Sequence, residues 1–473
     1  MQKLLSVFFL LIICACGTFA QSITAELEDG TLTGLEVATE IPGFAGTGYV
    51  TGFDNDTDQA VVELEVSVDD IYAVFLHADA PLGSKSFTLQ VDDVSFSAMI
   101  PVEPAGEWKE IKCGRLALTA GKHIITLKNG WGWYVADQVR LTPAQVPPAP
   151  SATAKLSDPQ ATVEAKALYT WLQSLYGKYT LAGQMEGSKE LAYIQEVTGK
   201  QPALLGFDLL FYSPSLREYG ADPKNLSDLI ISSAKNHLIT VNWTWNAPSH
   251  LMNTEQAPWW KGFMTYGTDL DLASVMADPS SQDYSLFLRD IDIIAVELKK
   301  FEEAKIPVLW RPLHEASGGW FWWGAKGPEA FVKLWRLMYQ RLTGYHNLHN
   351  LIWIISNDPD RPDWYPGDDV VDIIGWDQYK DGGPLAAIAS GEWDLLQDDN
   401  VGQKLVTMSE NGAIPNPETM QKLGVYWSWF NTWNGDFIND SQWNSDASNR
   451  DTFNHEIVIT QDELQAMGWP GAK

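Results

Sequence analysis

The chain is poor in cysteine, poor in positive charge and nearly without long apolar runs, and each shortage removes a class of protein. Its 473 residues hold three cysteines, two of which, Cys14 and Cys16, fall within the first twenty positions. Cys113 stands alone in the remainder, so no disulfide framework supports the fold and an inert buried thiol is expected. Lys and Arg number 32 against 61 Asp and Glu, for a net charge of -29. Phosphate recognition needs clustered cations, so nucleic acid and anionic membrane surfaces are excluded as partners. One apolar run stands out, Leu4 to Cys14, and it is too short for a comfortable membrane span.

That run follows Lys3 and precedes the small-residue tail Thr18-Phe19-Ala20. Residues 1–20 therefore read as a secretory signal cleaved after Ala20, and the protein is expected to be exported. Ile13-Cys14-Ala15-Cys16 offers a second reading, a poor bacterial lipobox that would anchor the chain to the cell surface through a lipid on Cys16.

What the chain has in excess is tryptophan, 22 residues. Most tryptophans serve a core, but exposed ones are suited to stack on the apolar faces of pyranose rings. Their setting changes along the chain. Residues 22–142 show short alternating runs, such as Ala60 to Val66 and His123 to Leu127, broken by Gly and Asp, as in a β-sandwich. Residues 143–160, with Pro143, Pro147, Pro148 and Pro150, read as a semi-rigid linker. Over residues 161–473, apolar runs alternate with amphipathic helices, as in a parallel α/β fold. The runs begin at Thr180, Ala203, Leu238, Pro307, Leu351, Val370, Leu405 and Val425, the last expected to end at Trp429. Eight strands with helices between them predict a (β/α)8 TIM barrel, whose site forms at the C-terminal ends of the strands.

Those ends are polar and aromatic. The fourth run leads into Arg311-Pro312-Leu313-His314-Glu315 and then Gly318-Gly319-Trp320-Phe321-Trp322-Trp323-Gly324; the seventh ends in Ser409-Glu410-Asn411. Strands four and seven lie nearly opposite in an eight-membered ring, so Glu315 and Glu410 face one bowl. Paired carboxylates flanking a glycosidic bond perform its hydrolysis, one as proton donor and the other as nucleophile or base. A salt bridge to Arg311 is the plainer reading of Glu315 taken alone.

With Gly183-Gln184, Gly206-Phe207-Asp208, Asp377-Gln378-Tyr379 and Ser409-Glu410-Asn411-Gly412 added, residues 160 to 470 resemble glycoside hydrolase family 26, whose best-populated activity is endo-β-1,4-mannanase. The resemblance implies Glu315 as general acid/base and Glu410 as nucleophile of a retaining reaction, with no cofactor for catalysis. It also implies His314 bonding to sugar or nucleophile, Tyr379 donating to Glu410, Trp320 stacking on the leaving-group sugar and Trp429 as the floor under the sugar being cleaved. Trp243 belongs to the same wall, but Thr244 stands where a histidine is expected and leaves the neighbouring subsite open. The sandwich, with Ala25-Glu26-Leu27-Glu28, Gly46-Thr47-Gly48-Tyr49 and Gly130-Trp131-Gly132-Trp133-Tyr134-Val135-Ala136-Asp137, resembles a family 35 carbohydrate-binding module. That likeness implies a structural Ca2+ at Glu26, Glu28 and Asp137, for which solvated carboxylates are the alternative, and sugar contacts from Trp131 and Trp133.

The expectation is thus a secreted, monomeric mannanase acting on β-mannan polysaccharide. The alternatives are a related β-glycanase, acting on mixed-linkage glucan or β-1,3-xylan, and a polysaccharide-binding barrel without turnover.

Overall fold

The computed structural model describes residues 21–379, 383–398 and 403–471. The expected signal segment, with Cys14 and Cys16, lies outside them. Two burial patterns divide the rest. From β1 (Ile23–Glu26) onward the first strands alternate, as β5 (Gln59–Val66) does with every second residue turned inward. Antiparallel strands read this way when one face meets a second sheet and the other meets water. One sheet runs β3 (Glu36–Ala38), β4 (Tyr49–Thr51), β11 (Val135–Pro143), β6 (Asp70–Asp79), β9 (Lys109–Leu118). The second runs β2 (Thr31–Thr33), β5, β10 (Gly121–Trp131), β7 (Lys85–Val91), β8 (Val94–Ile100). β1 lies antiparallel on β11 with Glu26 opposite Gln138, so the first strand is joined to the last. Cys113 is buried within β9.

The later strands are buried on both faces, as parallel strands under helices must be. They are β12 (Thr180–Met185), β13 (Leu204–Asp208), β14 (Leu238–Trp243), β15 (Val308–Pro312), β16 (Leu351–Ser356), β17 (Ile373–Gln378), β18 (Leu405–Asn411) and β19 (Trp429–Thr432). Each pairs in parallel with the next, and β12 bonds to both β19 and β13, so among the described residues eight strands close a barrel. Its helices bury one stripe each. In Gln282–Glu303 the stripe is Phe287, Ile291, Ile294, Leu298 and Phe301, spaced three and four apart, and Ser281 caps the start by accepting from the Tyr284 amide at 3.1 Å. The helix Pro328–Tyr339 opens on proline, whose missing N–H is one a helix start leaves unpaired anyway.

One strand departs from expectation. The eighth was expected over Val425 to Trp429, but it spans Trp429–Thr432. The preceding helix, Pro417–Leu423, ends at Gly424 with φ 69°, and Val425 still bonds back to Met420 O at 2.9 Å. Alternating apolar residues look like strand there, but they complete the exit from the helix. The shift carries Trp429 from the top of the barrel to its base.

Candidate active site

The chain leaves β15 through an uncommon backbone. Leu313 and Glu315, neither of them glycine, have φ of 52° and 51°, a left-handed conformation that persists only where the surroundings hold it. The anchors are two of the three loop tryptophans. Trp323 Nε1 donates to His314 O at 2.8 Å and Trp322 Nε1 to Trp245 O at 2.7 Å, both rings being wholly buried. The third, Trp320, is 47% exposed and folds back so that its Nε1 donates to Glu315 Oε2 at 2.9 Å. Gly318 makes room for it, since a Cβ there would lie 2.0 Å from the indole.

Arg311, buried at the end of β15, is the hub of the bowl. Its guanidinium donates to Glu410 Oε2, to Asp377 Oδ2 at 2.7 Å, to Ser356 Oγ at 2.9 Å and to Asn242 Oδ1 at 3.2 Å. Glu410 reaches it because the β17–β18 ladder slips: Trp376 pairs with Met408, yet Asp377 pairs with Glu410, leaving Ser409 as an extra residue. Such a bulge re-aims the side chain that follows it. Ser409 Oγ donates to Asp377 Oδ1 at 2.7 Å, and Tyr379 Oη to Glu410 Oε1 at 2.5 Å.

The two glutamates therefore sit in unlike surroundings. Glu410 accepts from a guanidinium and a phenol, whereas Glu315 accepts from the Trp320 indole. Burial, reinforced by the charges of Asp377 and Glu410, pushes the Glu315 carboxyl up to about 8. Burial raises Glu410 as well, but Arg311 and Tyr379 oppose it. A proton shared between the two is thus best kept on Glu315, which is how two neighbouring acids divide into donor and nucleophile. His314 is held neutral by burial and by Arg311; its ring lies 4.9 Å from Phe321, and its Nδ1 is buried without a partner in the protein. A cleft of about 240 Å3 opens beside Glu315, lined by Trp320, Asn357, Arg361, Trp376 and Asp377 among others.

Glu315, Glu410, His314, Tyr379 and Trp320 are thus brought together. Trp243 and Trp429 are not available as expected. Trp243 is 0% exposed, stacks on Trp245 at 4.4 Å and donates to Ser213 Oγ; Trp429 is 1% exposed at the base of β19. The aromatic at the top of that strand is Trp433, half-buried, whose amide donates to Asn411 O at 2.8 Å and whose carbonyl accepts from Gln184. The misplaced strand end hid it. Thr244 does not face an empty space: its hydroxyl donates to Asp208 Oδ2 at 2.5 Å. In the sequence Asp377 stands out only as part of the Asp377-Gln378-Tyr379 motif; its place directly across from Glu410 in the ladder is what gives it weight.

In the sandwich, carboxylate oxygens of Glu26, Glu28 and Asp137 lie within 4.8 Å of one another. Glu28 Oε1 accepts from the Thr47 amide at 2.8 Å, and Asp137 Oδ2 accepts from the Ala45 amide and lies 2.7 Å from His77 Nδ1. Their other oxygens, with Glu26 Oε2, are buried without a partner. Burial, then Asp137 and Glu28, push the Glu26 carboxyl up. Gly46, at φ 63°, roofs the cluster closely enough that a Cβ would meet Glu28 Oε1 at 2.4 Å. Hard oxygen donors left unpaired in a cradle of this kind fit a hard divalent cation. Trp131 and Trp133 are 65% and 64% exposed, flanking a Gly132 that lies tight against Phe53 O.

The chain is similar to known proteins in sequence and fold. The model of glycosyl hydrolase family 26 matches residues 157–463, and that of carbohydrate binding module family 35 matches residues 23–144. A mannan endo-1,4-beta-mannosidase of Thermothelomyces thermophilus is 40% identical over 94% of this chain and 91% of its own length. The mannan endo-1,4-beta-mannosidase A of a Piromyces species is 32% identical over 98% of this chain and 76% of its own. Among solved structures, the Podospora anserina GH26-CBM35 beta-(1,4)-mannanase superposes with a TM-score of 0.67 at 40% identity, covering 95% of this chain and 99% of that one. The barrel with its paired glutamates, the sandwich before it in sequence and these matches place the chain in glycosyl hydrolase family 26, with a family 35 carbohydrate-binding module at its N-terminal side.

Proposed function

We propose that the protein is a secreted, retaining endo-β-1,4-mannanase that cleaves the backbone of mannan, glucomannan or galactomannan. The observation that carries the chemistry is the unequal pairing of Glu315 and Glu410 around Arg311. Glu410, aimed by Arg311 and Tyr379, attacks the anomeric carbon, and Glu315 gives its proton to the departing oxygen. Glu315, now a carboxylate, then takes a proton from the water that releases the sugar from Glu410. Trp320 provides a platform beside the donor. Trp433, rather than Trp429, takes the floor position, and Asp208 with Thr244 forms a polar wall where a histidine was expected. The names of the relatives support mannan as the polymer. Incubation with glucomannan, lichenan and β-1,3-xylan tests it: manno-oligosaccharides are expected from the first, and their absence would sink the assignment.

The sandwich, in this reading, keeps the enzyme on insoluble mannan through Trp131 and Trp133. Its three-carboxylate cradle would hold Ca2+ as a structural ion joining the first strand of the sandwich to the last. Export would follow from residues 1–20. Among the described residues no helix is long and apolar enough to cross a membrane.

A further inference from the structure

We propose that Arg361 and Asp358, on the loop after β16, are positioning residues that set the angle at which Glu315 presents its proton to the leaving oxygen. The inference rests on the double-displacement reading above. Glu315 leaves its strand in a left-handed conformation that something must hold. On the near side the holding is done by Trp323 through His314 O. On the far side, the turn Ala316–Gly318 is gripped by the neighbouring loop. Arg361 Nη1 donates to Ser317 O, Ser317 Oγ donates to Asp358 Oδ2 at 3.1 Å, and Arg361 Nε lies 3.5 Å from the same oxygen. The Arg361 amide also bonds to Asp358 O at 3.0 Å, which closes the turn that carries both side chains.

This triangle closes on the residue two places beyond the proton donor. It also lines the cleft beside Glu315 and Trp320. General-acid transfer requires the carboxyl within about 2.6–3.2 Å of the oxygen it protonates. Releasing Ser317 lets the turn relax, and the carboxyl swings out of that range while Arg311, Glu410 and Tyr379 stay in place. The step affected is the first one. The C–O bond breaks with its electron pair on the leaving oxygen, Glu410 bonds to the anomeric carbon, and the Glu315 proton goes to the departing oxygen. A leaving group that departs readily as an anion needs no such proton.

The test is kcat/KM over aryl β-mannobiosides from 2,4-dinitrophenyl to phenyl, which reports the first step alone and keeps an aromatic ring in the leaving position throughout. In Arg361→Ala the dinitrophenyl substrate is expected to stay within about twofold of wild type, while the phenyl substrate falls about 30-fold. Asp358→Asn should show a weaker form of the same slope, and Arg361→Lys should recover most of the loss. A uniform loss across the series would mean a merely structural role, and no loss on the phenyl substrate would mean no role; either overturns the proposal. The anomeric configuration of the first wild-type product, followed by NMR, judges the underlying reading separately: inversion would sink the double displacement, whatever the variants do.

Discussion

Two clusters of three carboxylates, one in each domain, have been settled in opposite ways. In the barrel, Glu315, Asp377 and Glu410 surround Arg311, whose guanidinium satisfies two of them directly. In the sandwich, Glu26, Glu28 and Asp137 converge with one oxygen of each left over and, among the described residues, no Lys or Arg bonded to any of them. Like charges brought together must be neutralised by a proton, a cationic side chain or a metal ion. The barrel uses a cation of its own for two acids, while burial favours a proton on the third, Glu315, which is the proton that the proposed mechanism gives away. The sandwich cluster shows no Lys or Arg of its own among the described residues, so an external cation fits it.

The contrast can be broken first at its reactive end. Glu410→Ala is expected to lower kcat on soluble manno-oligosaccharides by about 10^4-fold or more while retention on insoluble mannan is unchanged. Reducing-sugar release and a pull-down measure the two, and an active variant would remove Glu410 from the role of nucleophile. Next comes the internal cation. Arg311→Met leaves buried Glu410 and Asp377 without their shared cation and should cost about 3–5 kcal/mol of barrel stability, read from urea unfolding; a variant as stable as wild type would mean that the acids are neutralised otherwise. Chelation tests the other cluster. With Ca2+ at 100 times its Kd, its removal should cost the sandwich about 2.7 kcal/mol and lower its melting temperature, with hydrolysis of short soluble substrates unaffected. Glu26→Gln should abolish that response; a chelator effect that survives it would place the ion elsewhere.

Finer effects follow. Trp131→Ala should weaken retention on insoluble mannan by about 1 to 2 kcal/mol without touching kcat. The smallest effect is a shift in pH profile. The proposed mechanism needs Glu410 ionised and Glu315 protonated, so kcat/KM should fall at low pH as Glu410 gains a proton and at high pH as Glu315 loses one. Burial moves both upward, which puts the alkaline limb near the value of about 8 for Glu315. The Trp320 N–H favours the charged form of Glu315, so Trp320→Phe should move that limb to higher pH. An alkaline limb unmoved, or moved down, would show that another group sets it.

How much of this was legible in the sequence depended on whether a residue lay in a periodic element. Fully buried strands announce themselves as apolar runs, so seven of the eight barrel strands, and with them the placement of Glu315 and Glu410, could be read directly. The eighth was misplaced because Val425 to Trp429 has strand-like composition while serving as a helix exit, and Trp433 was lost with it. Loops have no period. Nothing in Trp320-Phe321-Trp322-Trp323 tells which indole faces solvent, and nothing in Trp376-Asp377 or Met408-Ser409-Glu410 shows the extra residue that levels Asp377 with Glu410. The grip of Arg361 on Ser317 joins segments 44 positions apart, beyond the reach of any local pattern.

Gly318 has a consequence for anyone who would alter this enzyme. Because the Trp320 ring occupies the volume of a side chain at 318, a methyl group there would evict the ring, and Glu315, the proposed proton donor, would lose its hydrogen-bond partner and the leaving sugar its proposed platform in one substitution. Two properties usually tuned apart, substrate grip and acid strength, are tied to a single missing carbon, and neither can be engineered at that corner without moving the other.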